Sequence, residues 1–124
     1  MLEEKMLAQK AWAVVGANQN PDKYGYMIFD KLKRKGYRVY AVNPRYTAID
    51  ADPCYASLAA LPERVSVVNM VVSPQAGKAY LEEAARLSIP YIWFQPGTFS
   101  EELGALADRL GLEYVQACAL VATR

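Results

Sequence analysis

The sequence predicts a doubly wound α/β domain: a five-stranded parallel sheet with helices on both faces. Three observations lead there. Five apolar, β-branched or aromatic runs alternate with segments of helical period. These runs begin about 25 residues apart, room for a crossover helix between parallel strands. The third run, Val65 to Val72, is almost continuously apolar, as a strand covered on both faces should be. At 124 residues the chain makes one domain, spanning 1–124.

The elements follow in order. The predicted strands are Ala11–Ala17, Tyr37–Val42, Val65–Val72, Tyr91–Gln95 and Glu113–Ala117. Between the first two, Gly25, Ile28, Phe29 and Leu32 fall on one face of a helix. Lys31, Lys33, Arg34 and Lys35 fill its last turn, where cations suit the dipole, and Gly36 supplies the left-handed stop. A second helix starts at Ser73-Pro74, an N-cap followed by proline in the first turn, and runs to about Leu87. A third follows Thr98 or Ser100, with Leu103, Leu106, Ala107 and Leu110 as its buried stripe and Gly111 as its end. Thr98 with Glu101 has the form of a capping box. The stretch 44–64 is looser, with one helical turn at Ser57–Leu61.

Composition removes several function classes. Hydrophobic residues are 53% and charged residues 22%, so a packed core is affordable. The formal net charge of +1 gives no electrostatic case for nucleic acid or an anionic membrane. Acids in Met1–Ala8 stand where a secretory signal would be basic, so a cytoplasmic protein is expected. The chain has no histidine, which excludes Ser–His and Cys–His pairs and imidazole metal ligands. Its two cysteines, Cys54 and Cys118, form no CxxC zinc pattern. Neither a catalytic nor a metal-ligating set is expected.

In a doubly wound sheet, ligands bind beyond the carboxyl ends of the strands, where strand order reverses. That rule nominates Gly16, Ala17 and Asn18 after the first strand and Asn43, Pro44 and Arg45 after the second. Val72, Ser73 and Pro74 follow the third, and Gln95, Pro96 and Gly97 the fourth. Gly16 would let backbone approach a phosphate at the next helix N-terminus. The dinucleotide fingerprint GxGxxG nevertheless fails, with Asn18 and Pro21 in place of its later glycines. The second strand ends in Asn43-Pro44-Arg45, without the acid that binds an NAD ribose. A guanidinium there suits a phosphate on the adenosine ribose, as in NADP or coenzyme A. Tyr24 begins the first crossover helix beside Gly25 and faces the same loop. Cys118, near the last strand end, reads first as a small buried hydrophobe.

The runs Val14-Val-Gly-Ala-Asn-Gln-Asn-Pro-Asp-Lys-Tyr-Gly-Tyr26 and Leu32-Lys-Arg-Lys-Gly-Tyr-Arg-Val-Tyr-Ala-Val-Asn-Pro44 carry a resemblance, continued by Tyr55–Leu58, Val72–Pro74 and Trp93–Gly97. Over nearly its whole length the chain resembles the small bacterial and archaeal CoA-binding domain proteins. These are similar to the N-terminal CoA-binding domain of the succinyl-CoA synthetase alpha subunit. The resemblance implies a Rossmann-like sheet with coenzyme A, free or acylated, as ligand. It implies phosphates at Gly16, Ala17 and Asn18, and the adenosine with its 3′-phosphate at Asn43, Pro44 and Arg45. Val72, Ser73 and Pro74 would pack on the nucleotide, and Gln95, Pro96 and Gly97 would close the crevice.

Family members often place serine or threonine where this chain has Ala17 and Asn18, and many show an Asp-Arg-Cys run where this chain reads Gln116-Ala-Cys118. The synthetase also needs a phosphorylated histidine on another domain, so its ligase activity is not implied. The expected function is therefore a non-catalytic cytosolic CoA-binding module. The alternatives are an NADP-binding oxidoreductase domain or subunit, and a CoA-sensing regulatory or scaffold protein. A homo-oligomer or a protein partner remains open, as does a mixed disulfide between Cys118 and CoA.

Overall fold

A computed structural model describes residues 1–123 of the chain. Its strands are β1 (Ala11–Val15), β2 (Arg38–Val42), β3 (Ala48–Ile49), β4 (Asp52–Tyr55), β5 (Val67–Met70), β6 (Tyr91–Phe94) and β7 (Glu113–Gln116). Its helices are α1 (Leu2–Leu7), α2 (Tyr24–Arg34), α3 (Pro74–Arg86), α4 (Glu101–Leu110) and α5 (Ala119–Ala122), with a 3₁₀ turn at Leu58–Ala60. The strands form one sheet in the order β3-β4-β2-β1-β5-β6-β7. Every pairing is parallel except β3 with β4. The chain first winds outward from β1 through β2 to β4, then crosses back to β5 and winds the other way. The reversal falls between β1 and β5.

Alternation along β1 sorts the two cores. Ala11, Ala13 and Val15 face Leu81 and Ala84 of α3 and Leu103 and Ala107 of α4. Trp12 and Val14 face Met6 of α1, Ile28, Phe29 and Leu32 of α2, and Ala119 of α5. All five residues of β1 and all four of β5 are buried, which is why both read as continuous apolar runs. Among the described residues, no helix is long and apolar enough to cross a membrane.

The five predicted strands are all present, trimmed at their ends, but the sheet has seven. The added pair is the short hairpin β3–β4, inside the stretch read as loose. Pro53 lies within β4, and proline argues against a strand because it cannot donate to a ladder. The pairing with β2 starts one residue later, at Cys54, so the missing donor costs nothing there. Asp50 turns the hairpin at φ 52°. Two helices were also not expected, α1 and α5; at six and four residues they are too short for a periodic stripe.

The start of α4 differs from the Thr98–Glu101 capping box. Ser100 is the N-cap and its hydroxyl oxygen accepts from the Leu103 N–H at 3.1 Å. Thr98 instead donates its hydroxyl to the Gln95 carbonyl at 2.7 Å, closing the turn that ends β6. Ser73 is the N-cap of α3 by backbone conformation, with Pro74 behind it, but its side chain makes no capping bond.

Candidate functional site

Because β2, β1, β5, β6 and β7 are parallel, their carboxyl ends share one edge of the sheet. In spatial order that rim carries Asn43–Arg45, the loop 16–23, Val71–Ser73, Gln95–Gly97 and Cys118. The four nominated segments are thus brought side by side.

The loop after β1 is shaped by two glycines distant in sequence. Gly16 has φ +96°, and a Cβ on it would lie 2.5 Å from the Val71 carbonyl oxygen. A Cβ on Gly25 would lie 2.0 Å from the Gly16 carbonyl oxygen. The start of α2 therefore rests directly on the end of β1. Gly25 performs the close helix–strand packing that the third glycine of a dinucleotide fingerprint performs. The longer loop of this chain moves it outside the GxGxxG spacing.

Two Asx turns stiffen the loop between them. The Asn18 side-chain oxygen accepts from the Asn20 N–H at 2.8 Å, and that of Asn20 from the Asp22 N–H at 2.9 Å. Helix α2 then begins at an N-cap, Lys23, with no side-chain capping bond and no acid in the first turn. Its first N–H groups and the positive end of its dipole point to the rim.

The nominated residues divide by what their side chains do. Ala17 is fully buried, backbone included, and its carbonyl accepts from Asn43. Asn43 is consumed internally: its Nδ2 donates to the Ala17 carbonyl and its Oδ1 accepts from the Arg45 N–H, both at 2.9 Å. That pair of bonds ties the β1 and β2 loops together and fixes the backbone from which exposed Pro44 and Arg45 extend. Gln95 is 4% exposed and also committed, its Oε1 accepting from the Ala119 N–H at 2.7 Å. Pro96 and Gly97 are exposed, with Gly97 at φ +85°. Val72 packs into the core under α3 and α4, while its neighbour Val71 belongs to the α2 face.

A small cleft of about 110 Å³ opens at this rim, lined by Tyr24, Val71, Gln95, Pro96, Thr98 and Cys118. Tyr24, 60% exposed, forms its outer wall. Three larger hollows lie elsewhere. One of about 310 Å³ sits at the amino ends of β1 and β2, beside Lys10 and Tyr37; one of about 290 Å³ lies beside the 3₁₀ turn, between Glu63 and Ile89; and one of about 480 Å³ lies between α3 and α4, reaching Pro74 and Ser100 at their starts. Only the smaller cleft adjoins both the start of α2 and the strand carboxyl ends, where a doubly wound sheet receives ligands, so it is the candidate site.

Val71, Thr98 and Cys118 were not among the nominated residues. Cys118 is half-buried and caps α5. Burial pushes its thiol up, but the Gln95 amide, the Val121 and Leu120 backbone N–H groups and the Lys31 ammonium together outweigh it and hold the thiol below its ordinary range. Cys54 is the opposite case: burial pushes its thiol up, offset only in part by the Asn43 backbone. Among the described residues, no cluster of three His, Cys, Asp or Glu side chains fit to hold a metal occurs.

Comparison with known proteins agrees with this architecture. A hypothetical protein from Pyrococcus horikoshii superposes with a TM-score of 0.90 at 30% identity, covering 98% of this chain and 86% of its own. A conserved hypothetical protein from Pyrococcus furiosus superposes at 0.85 with 39% identity, covering 91% and 98%. The Bacillus subtilis protein YneT is 26% identical over 82% of this chain and 75% of its own length. An ADP-forming acetate–CoA ligase from Archaeoglobus fulgidus is 31% identical over 90% of this chain. The chain spans only 18% of that ligase. Residues 10–124, from the lysine before β1 onward, match the CoA binding domain family, and the chain belongs to it.

Proposed function

We propose that the chain is a cytosolic, non-catalytic module that binds coenzyme A, free or acylated. The observation that carries this reading is the junction of β1 and α2. Gly16 and Gly25 bring backbone to the rim with no side chain between, and the uncapped helix start offers N–H groups to an anion. The pyrophosphate rests there. Arg45, held by Asn43 and exposed, pairs with the 3′-phosphate. Pro44 and the apolar strand ends border the adenine, and the pantetheine arm runs along the rim past Ser73, Pro74 and Val71 toward Gln95, Pro96 and Gly97. A partner protein that reads the CoA-bound state is compatible with the same site.

Calorimetric titration with CoA, dephospho-CoA, NADPH and NADH at one salt concentration tests the reading. CoA is expected to bind most tightly, with dephospho-CoA weaker. Arg45→Ala should weaken CoA by about 1.5–3 kcal/mol and leave dephospho-CoA unchanged. Binding of NADPH alone would move the function to an oxidoreductase domain or subunit. Equal affinity for CoA and dephospho-CoA would take Arg45 out of the site.

A further inference from the structure

The loop that carries Arg45 is pinned at both ends by side chains that cross between two loops. At its start, the Asn43 amide donates to the Ala17 carbonyl. At its end, Gln19 Nε2 donates to the Ala48 carbonyl at 2.9 Å. Residues 17–19 and 43–48 thus close into a ring through two side-chain hydrogen bonds, with Arg45 inside it. The Arg45 side of the ring is braced again where the Tyr46 N–H donates to the Asn43 carbonyl and the Cys54 N–H to that of Thr47.

Helix α2 holds the hairpin that follows. The Tyr26 hydroxyl donates to Asp50 Oδ2 at 2.5 Å in the β3–β4 turn, Lys33 pairs with Asp52, and Ile49 is fully buried in the core under α2. These contacts set the charge of the rim as well as its shape. Asp50 and Asp52 are the only acids of the segment 43–55, and both are engaged with α2. Arg45 is its only cation, and among the described residues the guanidinium has no ion pair or hydrogen bond. Arg34 and Arg38, by contrast, each hold a carboxylate.

We propose that Gln19 and the β3–β4 hairpin form a clamp that makes the site selective for nucleotides with a phosphate on the adenosine ribose, an inference that rests on the CoA reading above. Gln19 and Tyr26 are positioning residues, acting on the ligand through the backbone from which Arg45 extends. A guanidinium held at a fixed separation from the β1–α2 junction meets the ribose phosphate while the pyrophosphate rests on that junction. Without the clamp Arg45 drifts, and the ligand loses only what its ribose phosphate contributes.

The test is calorimetric titration of CoA and dephospho-CoA into the native chain, Gln19→Met, Tyr26→Phe, Arg45→Ala and the double variant Gln19→Met with Arg45→Ala. Gln19→Met keeps the side-chain length and removes the donor. Gln19 is exposed, so the urea midpoint of this variant should match that of the native chain. Its CoA affinity should fall about three- to tenfold, the range of one hydrogen bond, with dephospho-CoA unchanged. Tyr26→Phe should reduce the preference for CoA in the same direction. Because both residues act through Arg45, the double variant should bind CoA no more weakly than Arg45→Ala alone. Equal losses for the two ligands would make Gln19 a general support of its loop, and additive losses in the double variant would place its effect away from Arg45; either overturns the clamp. An unaltered preference in Gln19→Met, where the native chain prefers CoA, overturns the clamp alone and leaves the Arg45 contact standing. A native chain that binds both ligands equally, or neither, would remove the reading on which the clamp rests and the clamp with it.

Discussion

Two strand-to-helix junctions lie on the same rim and solve the same problem in opposite ways. Between β6 and α4, the turn is closed by Thr98 and the helix start is capped by Ser100, with Glu101 and Glu102 in the first turn. That helix satisfies its own N-terminus and neutralises its own dipole. Between β1 and α2 there is no side-chain cap and no acid, and Lys23 stands at the N-cap. The packing differs in the same sense. Gly104 of α4 faces the rings of Phe99 and Tyr114, whereas Gly25 of α2 faces backbone. A junction that only supports a fold can finish its hydrogen bonding internally. The β1–α2 junction leaves donors and positive charge that the chain itself does not satisfy.

The contrast is open to breakage. The largest effect is expected at the glycines. Gly25→Ala must separate α2 from β1 and should cost on the order of 3 kcal/mol of stability by urea denaturation. Gly104→Ala meets the ring edge of Phe99 at 2.8 Å, which a small rotation relieves, and should cost about 1 kcal/mol. Equal costs would mean that the close approach at Gly25 is not what fixes this junction.

Beneath the junctions, Phe94 packs edge-to-face against Phe99 and Tyr114, and these two lie tilted on one another, with ring centroids 5.2–5.7 Å apart under α4. On the other face lies the fully buried Asn69 of β5, whose amide has no hydrogen-bond partner among the described residues. Asn69→Leu should stabilise the ligand-free chain by about 1–3 kcal/mol, the usual cost of burying such a group unpaired. A loss of stability in its place would show that the amide serves the fold.

Smaller effects separate the two helix starts. Ser100→Ala should lower stability by about 1 kcal/mol without touching CoA affinity. Lys23→Asp supplies α2 with the cap and the acid it lacks. It should therefore raise stability by about 0.5–1 kcal/mol while weakening CoA. Tighter CoA binding by that variant would contradict an anion site at α2.

The smallest expected effect concerns acid. Glu63 is held by Arg38 and by the Tyr40 hydroxyl, and these contacts lower its carboxyl below the ordinary value of 4.5. The unfolded chain then takes up the proton first. The contribution of Glu63 is present above pH 4.5 and lost as pH falls below it. Glu63→Gln should flatten the acid limb of the stability profile slightly and leave neutral-pH CoA binding unchanged. This clamp lies on the 3₁₀ side of β2, so a change in CoA affinity would enlarge the site beyond the rim.

Much of this molecule is legible from residue order. Buried strands such as β1 and β5 are long apolar runs, and α2, α3 and α4 each carry a stripe of helical period. Gly36 and Gly111 mark two helix ends by conformations only glycine adopts easily, at φ +92° and +75°. The carboxyl-end rule then collects Gly16, Arg45, Ser73 and Gln95 on one rim without any contact being known. Other features depend on approach in space. Pro53 makes β4 unreadable locally, because β4 exists through its neighbours. Asn43 reads as a ligand-facing amide, yet its bonds run to Ala17 and Arg45 across two loops. Gly25 looks like one position in a helical stripe until the Gly16 carbonyl is found against it. Asn69 sits in an apolar run like any tolerated polar residue, and Cys118 like a small hydrophobe. Periodicity and turn chemistry are local properties of the chain, so the sequence determined the elements and their order. Burial, pairing and the reach of one backbone to another are properties of the packed whole, so only the tertiary structure decided which groups close the fold and which remain at the cleft.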